Sequence, residues 1–201
     1  WGVVNYAGSS YAQCRGARDV GFSLTFGAGV GSPEPTDIRN TDCLVLIGSH
    51  LGENMHNSQV QEFAQAVERK VPVIVVDPRF SVAASKARYW LPVKPGTDLA
   101  LLLAWANLLV TEGLYDKAFV QKYGPGLDKF AAASKTYTPA GAAPQCAVSA
   151  GLISASAREF ASHRPATVIH PGRRVNWYGD DTQRSRAIAL LTGLLGSYGR
   201  K

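Results

Sequence analysis

Apolar and polar positions alternate along the chain between two kinds of pattern. CLVLIG (43–48) and VPVIVVD (71–77) are short, unbroken apolar runs. Runs of this kind predict strands covered on both faces, as in parallel sheets. Between them, SQVQEFAQAVERK (58–70) sets Val60, Phe63, Ala64 and Val67 at helical spacing. LALLLAWANLLVTEG (99–113) is strongly apolar and closes on Gly113, which predicts a helix with a glycine stop. YDKAFVQKYG (115–124) predicts a helix ending in glycine, SAGLISASAREFASH (149–163) one opened by a serine cap, and TQRSRAIALLTGLLG (182–196) a last one. ATVIH (166–170) predicts another strand, VAASKARYW (82–90) a short helix, and LPVKPG (91–96) a third short strand or extended segment. Two stretches read as connection: the Gly- and Pro-rich 15–39, with a helical turn or two, and the Gly/Ala/Pro-rich 138–147. Neither an internal repeat nor a low-complexity tract interrupts this order.

Strands alternating with helices predict an α/β fold, Rossmann-like, with a mostly parallel sheet and flanking helices. Ligands of such sheets bind beyond the carboxyl ends of the strands. Here those ends are Gly48-Ser49-His50, Asp77-Pro78-Arg79 and Gly172-Arg173-Arg174, joined by Pro95-Gly96-Thr97-Asp98 if the third strand is also parallel. Two of them finish on an acidic residue in a tight turn. A carboxylate accepts two hydrogen bonds side by side, the complement of the N1–H and N2–H edge of guanine. Glycines at 48, 52 and 96 would let phosphates approach main-chain N–H groups. The combination predicts a large dinucleotide-like ligand draped across the sheet. Each turn by itself is also an ordinary turn.

Composition narrows the partners. With 201 residues, 46% hydrophobic and 18% charged, the chain can form one or two domains with a sizeable core. A net charge of +6 and a pI near 9.3 suit an anionic ligand. The densest basic clusters are only Arg173-Arg174 and Arg200-Lys201, so an extended nucleic-acid surface is not expected. No apolar run approaches the roughly 20 residues of a membrane span, so no direct membrane insertion is expected. Cys14, Cys43 and Cys146 are far apart and form no C-x-x-C, which predicts neither a disulfide framework nor a zinc site. An ordinary Rossmann enzyme would carry G-x-G-x-x-G after the first strand, and this chain does not. The chain opens on Trp1 without an initiator Met or a signal-like start, and reads as an internal segment of a longer subunit.

Four stretches in one order carry a resemblance: VDPR (76–79), PGTD (95–98) leading into an apolar helix, LYDKAFV (114–120) and RAIALLTGLLGSYGRK (186–201). Together they resemble the catalytic subunits of the molybdopterin oxidoreductases of the dimethyl-sulfoxide-reductase family. The resemblance covers essentially the whole chain. It implies the central part of a larger molybdopterin-binding subunit, whose iron–sulfur segment and carboxy-terminal cofactor domain would lie outside. Residues 1–40 would belong to the metal-ligand-bearing α/β domain and 41–165 to the Rossmann-like dinucleotide domain. Residues 166–201 would be a return strand and helix rejoining the first domain.

The implied cofactor is molybdenum or tungsten held by two molybdopterin guanine dinucleotides, with a [4Fe-4S] cluster in the preceding part of the subunit. By resemblance, IGSHLGEN (47–54) supplies Gly48, Ser49, His50, Glu53 and Asn54 to cofactor phosphate and pterin. VDPR supplies Asp77 and Arg79 to the nucleotide end, PGTD supplies Gly96 and Asp98 to guanine, and Gly172 completes the cradle. A structural alternative for Arg79 is a salt bridge to Asp77 or a helix terminus. Cys14 lies 26 positions before Asn40, where the family places its protein ligand to the metal. A soft thiolate suits such a centre, although a lone cysteine on composition alone is a small buried hydrophobe. Cys43 and Cys146 are expected to be structural.

HPGRRVNWYGDD (170–181) is similar to the polysulfide and thiosulfate reductase branch, and that similarity assigns Arg173 to the substrate cavity. Arg174 would do the same, or pair with Asp180 or Asp181. The implied activity is two-electron reduction of an anionic sulfur compound or a related chalcogen oxyanion. An iron–sulfur electron-transfer subunit and a membrane-anchor subunit would be partners, at the periplasmic or outer face of the cytoplasmic membrane. Formate, nitrate or arsenate chemistry within the same family, or a non-catalytic scaffold in a respiratory complex, are the alternatives.

Overall fold

The first elements of the chain are α1 (Ala17–Phe26), β1 (Cys43–Ile47), α2 (Asn57–Glu68), β2 (Val73–Val76) and β3 (Tyr89–Leu91). Five helices follow: α3 (Asp98–Thr111), α4 (Lys117–Tyr123), α5 (Leu127–Ser134), α6 (Pro139–Cys146) and α7 (Ala150–Ser162). Strand β4 (Thr167–Pro171) and helix α8 (Asp181–Leu194) close the chain. The structure is a computed structural model, and it describes residues 2–5, 16–28, 36–49, 51–53, 57–172, 179 and 181–200.

The four strands form one sheet in the order β3-β2-β1-β4, every neighbouring pair parallel. Fully apolar strands can sit here because both faces are covered. Val45, Ile47, Ile74, Val76 and Ile169 enter one core with α3, α7 and α8, centred on Trp105, Phe160 and Ile188. Leu44, Leu46, Val73 and Val75 point the other way onto Phe63 and Ala66 of α2. The period-two alternation of strand side chains divides each run between two cores. Helix α3 is apolar almost all round because α5, α6, α7 and α8 all pack on it.

Several elements differ from the sequence expectation. Ala84–Lys86 is a single 3₁₀ turn, and the third strand begins at Tyr89 rather than Leu91. Residues 138–147 contain α6, whose N-cap Thr138 accepts from Gly141 N–H at 3.1 Å, with Pro139 in the first turn. Proline is well placed there, since its missing N–H would have had no helical partner. Helix α5 is a further addition. In 15–39, α1 is a full ten-residue helix. Its Gly21 is a packing residue: a Cβ there would lie 2.5 Å from Ser185 Cβ on α8. On α2 the buried stripe is Gln59, Phe63 and Ala66, and Ala64 faces solvent. The segment boundary expected at 165/166 falls just ahead of β4, which pairs with β1 from Cys43↔Thr167 to Ile47↔Pro171. Helix α8 packs on both α1 and α3.

Candidate functional site

The strand order defines where a ligand can enter. From β1 the chain steps outward to β2 and β3, and β4 then returns on the opposite side of β1. The chain after β1 leads to α2 on one face of the sheet, and the chain after β4 leads to α8 on the other. Connections that diverge in this way leave a crevice at the carboxyl edge. Because β3 is parallel, the Pro95–Asp98 turn lies at this edge too. The described residues assigned from sequence, Gly48, Ser49, Glu53, Asp77, Arg79, Gly96, Asp98 and Gly172, all follow the carboxyl ends of the four strands. Cys14, His50, Asn54 and Arg173, with Arg174 and Asp180, lie outside the described residues.

At the crevice, backbone meets backbone. Gly172 N–H donates to Ile47 C=O at 2.7 Å, and Gly48 N–H to Val76 C=O at 3.0 Å. A Cβ at Gly172 would overlap the Gly48 carbonyl, so only glycine fits. Gly48 and Gly96 adopt φ of +57° and +83°, a region that leaves their backbone open to close approach. Ser49, directly after Gly48, is buried.

The two acidic turns are anchored differently. Asp77 Oδ1 accepts from the backbone N–H of Arg79 at 2.8 Å, an Asx turn that sets the direction of the carboxylate. Its own carbonyl accepts from Trp90 Nε1 at 2.9 Å, and its N–H donates to Leu91 C=O at 3.2 Å, so β3 holds the turn on both sides. Asp98 opens α3, where a carboxylate complements the helix dipole. Its exposure is only 7%. Burial raises its pKa, its own backbone N–H and the Arg184 cation lower it, and the nearby Asp77 charge raises it. Of these influences on Asp98, burial is the largest and the Asp77 charge the smallest.

Arg79 pairs with Glu53, not with Asp77. The other Glu53 oxygen accepts from Val82 N–H at 2.8 Å, so Glu53 ties the loop after β1 to the loop after β2. The sequence reading missed Arg18 on α1 and Arg184 on α8, both buried. It also missed a buried contact between Gln59 of α2 and His170 of β4. Their signal was positional. Arg184 stands one turn before buried Ile188, and Gln59 one turn before buried Phe63.

Cys43 and Cys146 are buried free thiols. Burial first, then the Glu159 charge, pushes Cys43 up to about 12, and burial also raises Cys146. Neither is poised to ionise. Among the described residues no cluster of three or more His, Cys, Asp or Glu side chains forms a metal site, and no helix is long and apolar enough to cross a membrane.

Fold and edge together define an α/β protein with a parallel sheet, flanking helices, and glycines and buried carboxylates at the carboxyl edge of its strands. The chain belongs to the molybdopterin oxidoreductase family, whose model matches residues 2–201. It is 36% identical over 172 residues to the molybdopterin-containing subunit PhsA of thiosulfate reductase from Salmonella typhimurium, covering 86% of this chain and 23% of that protein. It is 32% identical over 221 residues to the dimethyl sulfoxide reductase DmsA of Escherichia coli, covering 98% and 27%. Among solved structures, acetylene hydratase from Pelobacter acetylenicus superposes with a TM-score of 0.88 at 28% identity, covering 95% of this chain and 26% of that one. The chain thus spans about a quarter of the length of these relatives. Family membership implies a pterin cofactor carrying molybdenum or tungsten.

Proposed function

We propose that this chain forms the nucleotide-cradling part of a molybdenum- or tungsten-dependent reductase acting on an anionic sulfur compound, thiosulfate or polysulfide. The observation that carries the reading is the carboxyl edge of the sheet at its switch point, where Gly48 and Gly172 meet backbone to backbone and the buried carboxylates Asp77 and Asp98 follow their strands. Its geometry fits a guanine dinucleotide form of the pterin. Glycine backbone admits phosphate oxygens to N–H groups, and carboxylates accept from a purine edge. When bound, the cofactor supplies two-electron transfer to a sulfur–sulfur or element–oxygen bond.

In this reading, Gly48, Ser49 and Gly96 line the phosphate path. Asp77 and Asp98 read guanine, and Glu53 with Arg79 braces the loops that carry them. Cys14 is the protein ligand to the metal. Arg173 orients the substrate anion through its planar guanidinium. The likeness to a thiosulfate reductase subunit favours a sulfur substrate. The reading extends to an assembly with an iron–sulfur electron-transfer subunit and a membrane anchor, at the periplasmic or outer face of the cytoplasmic membrane, and to an iron–sulfur cluster carried elsewhere in the subunit.

The test uses the complete subunit, purified intact. Metal and guanine nucleotide are quantified per chain, and reduced-viologen turnover is measured with thiosulfate, polysulfide, dimethyl sulfoxide, nitrate and arsenate, alongside formate oxidation. Bound pterin–guanine nucleotide with preferential sulfur-compound turnover is the expected result. A chain without pterin would sink the whole reading, and preferential turnover of another substrate would move it to that branch. Pterin without turnover would favour the scaffold alternative.

A further inference from the structure

On the α2 face of the sheet a buried polar contact stands where hydrocarbon would pack as well. His170, on β4 in register with Leu46 of β1, lies on the α2-covered face of the sheet, the face to which Leu44, Leu46 and Val168 belong. Its Nε2 lies 3.1 Å from Gln59 Oε1 in the first turn of α2. An amide oxygen only accepts, so the His170 Nε2 carries the proton in this contact. Gln59 Nε2 in turn donates to Thr36 Oγ1 at 3.1 Å, which orients the amide. His170 and Gln59 are each 1% exposed.

A buried hydrogen-bonded pair is no more stabilising than a well-packed apolar pair, and it costs more if broken. What it adds is direction: it fixes distance and angle where two apolar side chains could slide. This pair does not sit at the middle of α2 but at its first turn, opposite the last residues of β4. Those are the two sides of the crevice. The chain entering α2 comes from the Gly48–Glu53 loop, and two residues beyond His170 is Gly172, with no room for a side chain against Gly48.

We propose that Gln59 and His170 are positioning residues whose hydrogen bond, oriented by Thr36, sets the spacing of the crevice that holds the pterin–nucleotide. This rests on the cofactor reading above. The bridge touches no ligand itself. It acts by holding the α2 loop and the β4 tip at one separation, so that their backbone groups meet the same phosphates.

The experiment uses the complete subunit with cofactor supplied during expression, and reads metal and pterin per chain beside the thermal midpoint of the cofactor-free protein. Gln59→Leu is expected to fold with a lowered midpoint, because the buried His170 Nε2–H loses its acceptor, and to hold about tenfold less cofactor under limiting supply, the weight of one directional hydrogen bond. Gln59→Glu, which keeps an acceptor for His170, should retain most of the wild-type content. Gln59→Leu combined with His170→Phe, which removes both partners of the bond, should recover much of the midpoint but not the cofactor content. Wild-type cofactor content in Gln59→Leu, or equal loss in Gln59→Glu, overturns the proposal. Should Gln59→Leu fail to accumulate, Thr36→Val decides. Lowered content in a folded chain supports the bridge, and unchanged content overturns it. A wild-type subunit without pterin would instead remove the reading on which the bridge depends.

Discussion

Asp98 is a carboxylate placed against its own preference. Burial disfavours its ionised form, and the Arg184 charge and its own backbone N–H offset only part of that effect. A group whose folded pKa is raised contributes stability that is full below its unfolded pKa and is lost as pH rises through the folded value. Asp98→Asn is therefore expected to be more stable than wild type at neutral pH, with the advantage closing as the solution is acidified. Denaturant melts of the cofactor-free subunit at two pH values read this directly, and an unchanged difference would contradict it. On the proposed guanine-reading role of Asp98, the same variant should also bind less pterin–nucleotide, because an amide presents a donor where purine N–H groups need acceptors. Residues at strand ends, such as Gly48, Asp77 and Asp98, were legible because turn chemistry and strand termini both mark the chain. Gln59, His170 and Arg184 were not, since a polar residue on an apolar stripe looks the same in sequence whether it meets solvent or a buried partner.

Among the elements, the helices with an apolar period were the easiest to read, and a cap alone did not reveal α6. Ser149 and Asp116 accept from the N–H groups three residues on, Leu152 and Phe119, at 3.2 and 2.9 Å. Asp116 also pairs with Arg200, and both contacts hold its pKa low, the backbone N–H most of all. Its contribution is present above the unfolded carboxylate pKa and is lost as pH falls through the depressed folded value. Asp116→Ala should cost about 1 kcal/mol at neutral pH, the usual weight of an N-cap. That gap should narrow in acid, which chemical denaturation across the pH range would follow. Elements without a period were missed or shifted. Three-residue β3 exists only because β2 offers it a ladder, and α6 looked like a connection because Gly, Ala and Pro dominate it.

For the whole molecule, the decisive feature is the return of β4 beside β1, which turns four strand ends into one crevice. Gly172→Ala tests that closure. The added methyl would overlap the Gly48 carbonyl and force the strand tips apart. A loss of about 3 kcal/mol, the upper end for overpacking, is expected together with loss of bound pterin. Wild-type stability would mean that the tips do not meet. Apolar runs, caps and turn residues are local, so the chain alone determined that buried strands alternate with helices, and that glycines and acids stand at the strand ends. Which side of β1 receives β4 depends on how α3, α7 and α8 share one face of the sheet, and no local pattern encodes a choice between distant surfaces. Tertiary packing made that choice. With it came the partnership of Arg79 with Glu53, the charge of Arg184 beside Asp98, and the bridge from Gln59 to His170.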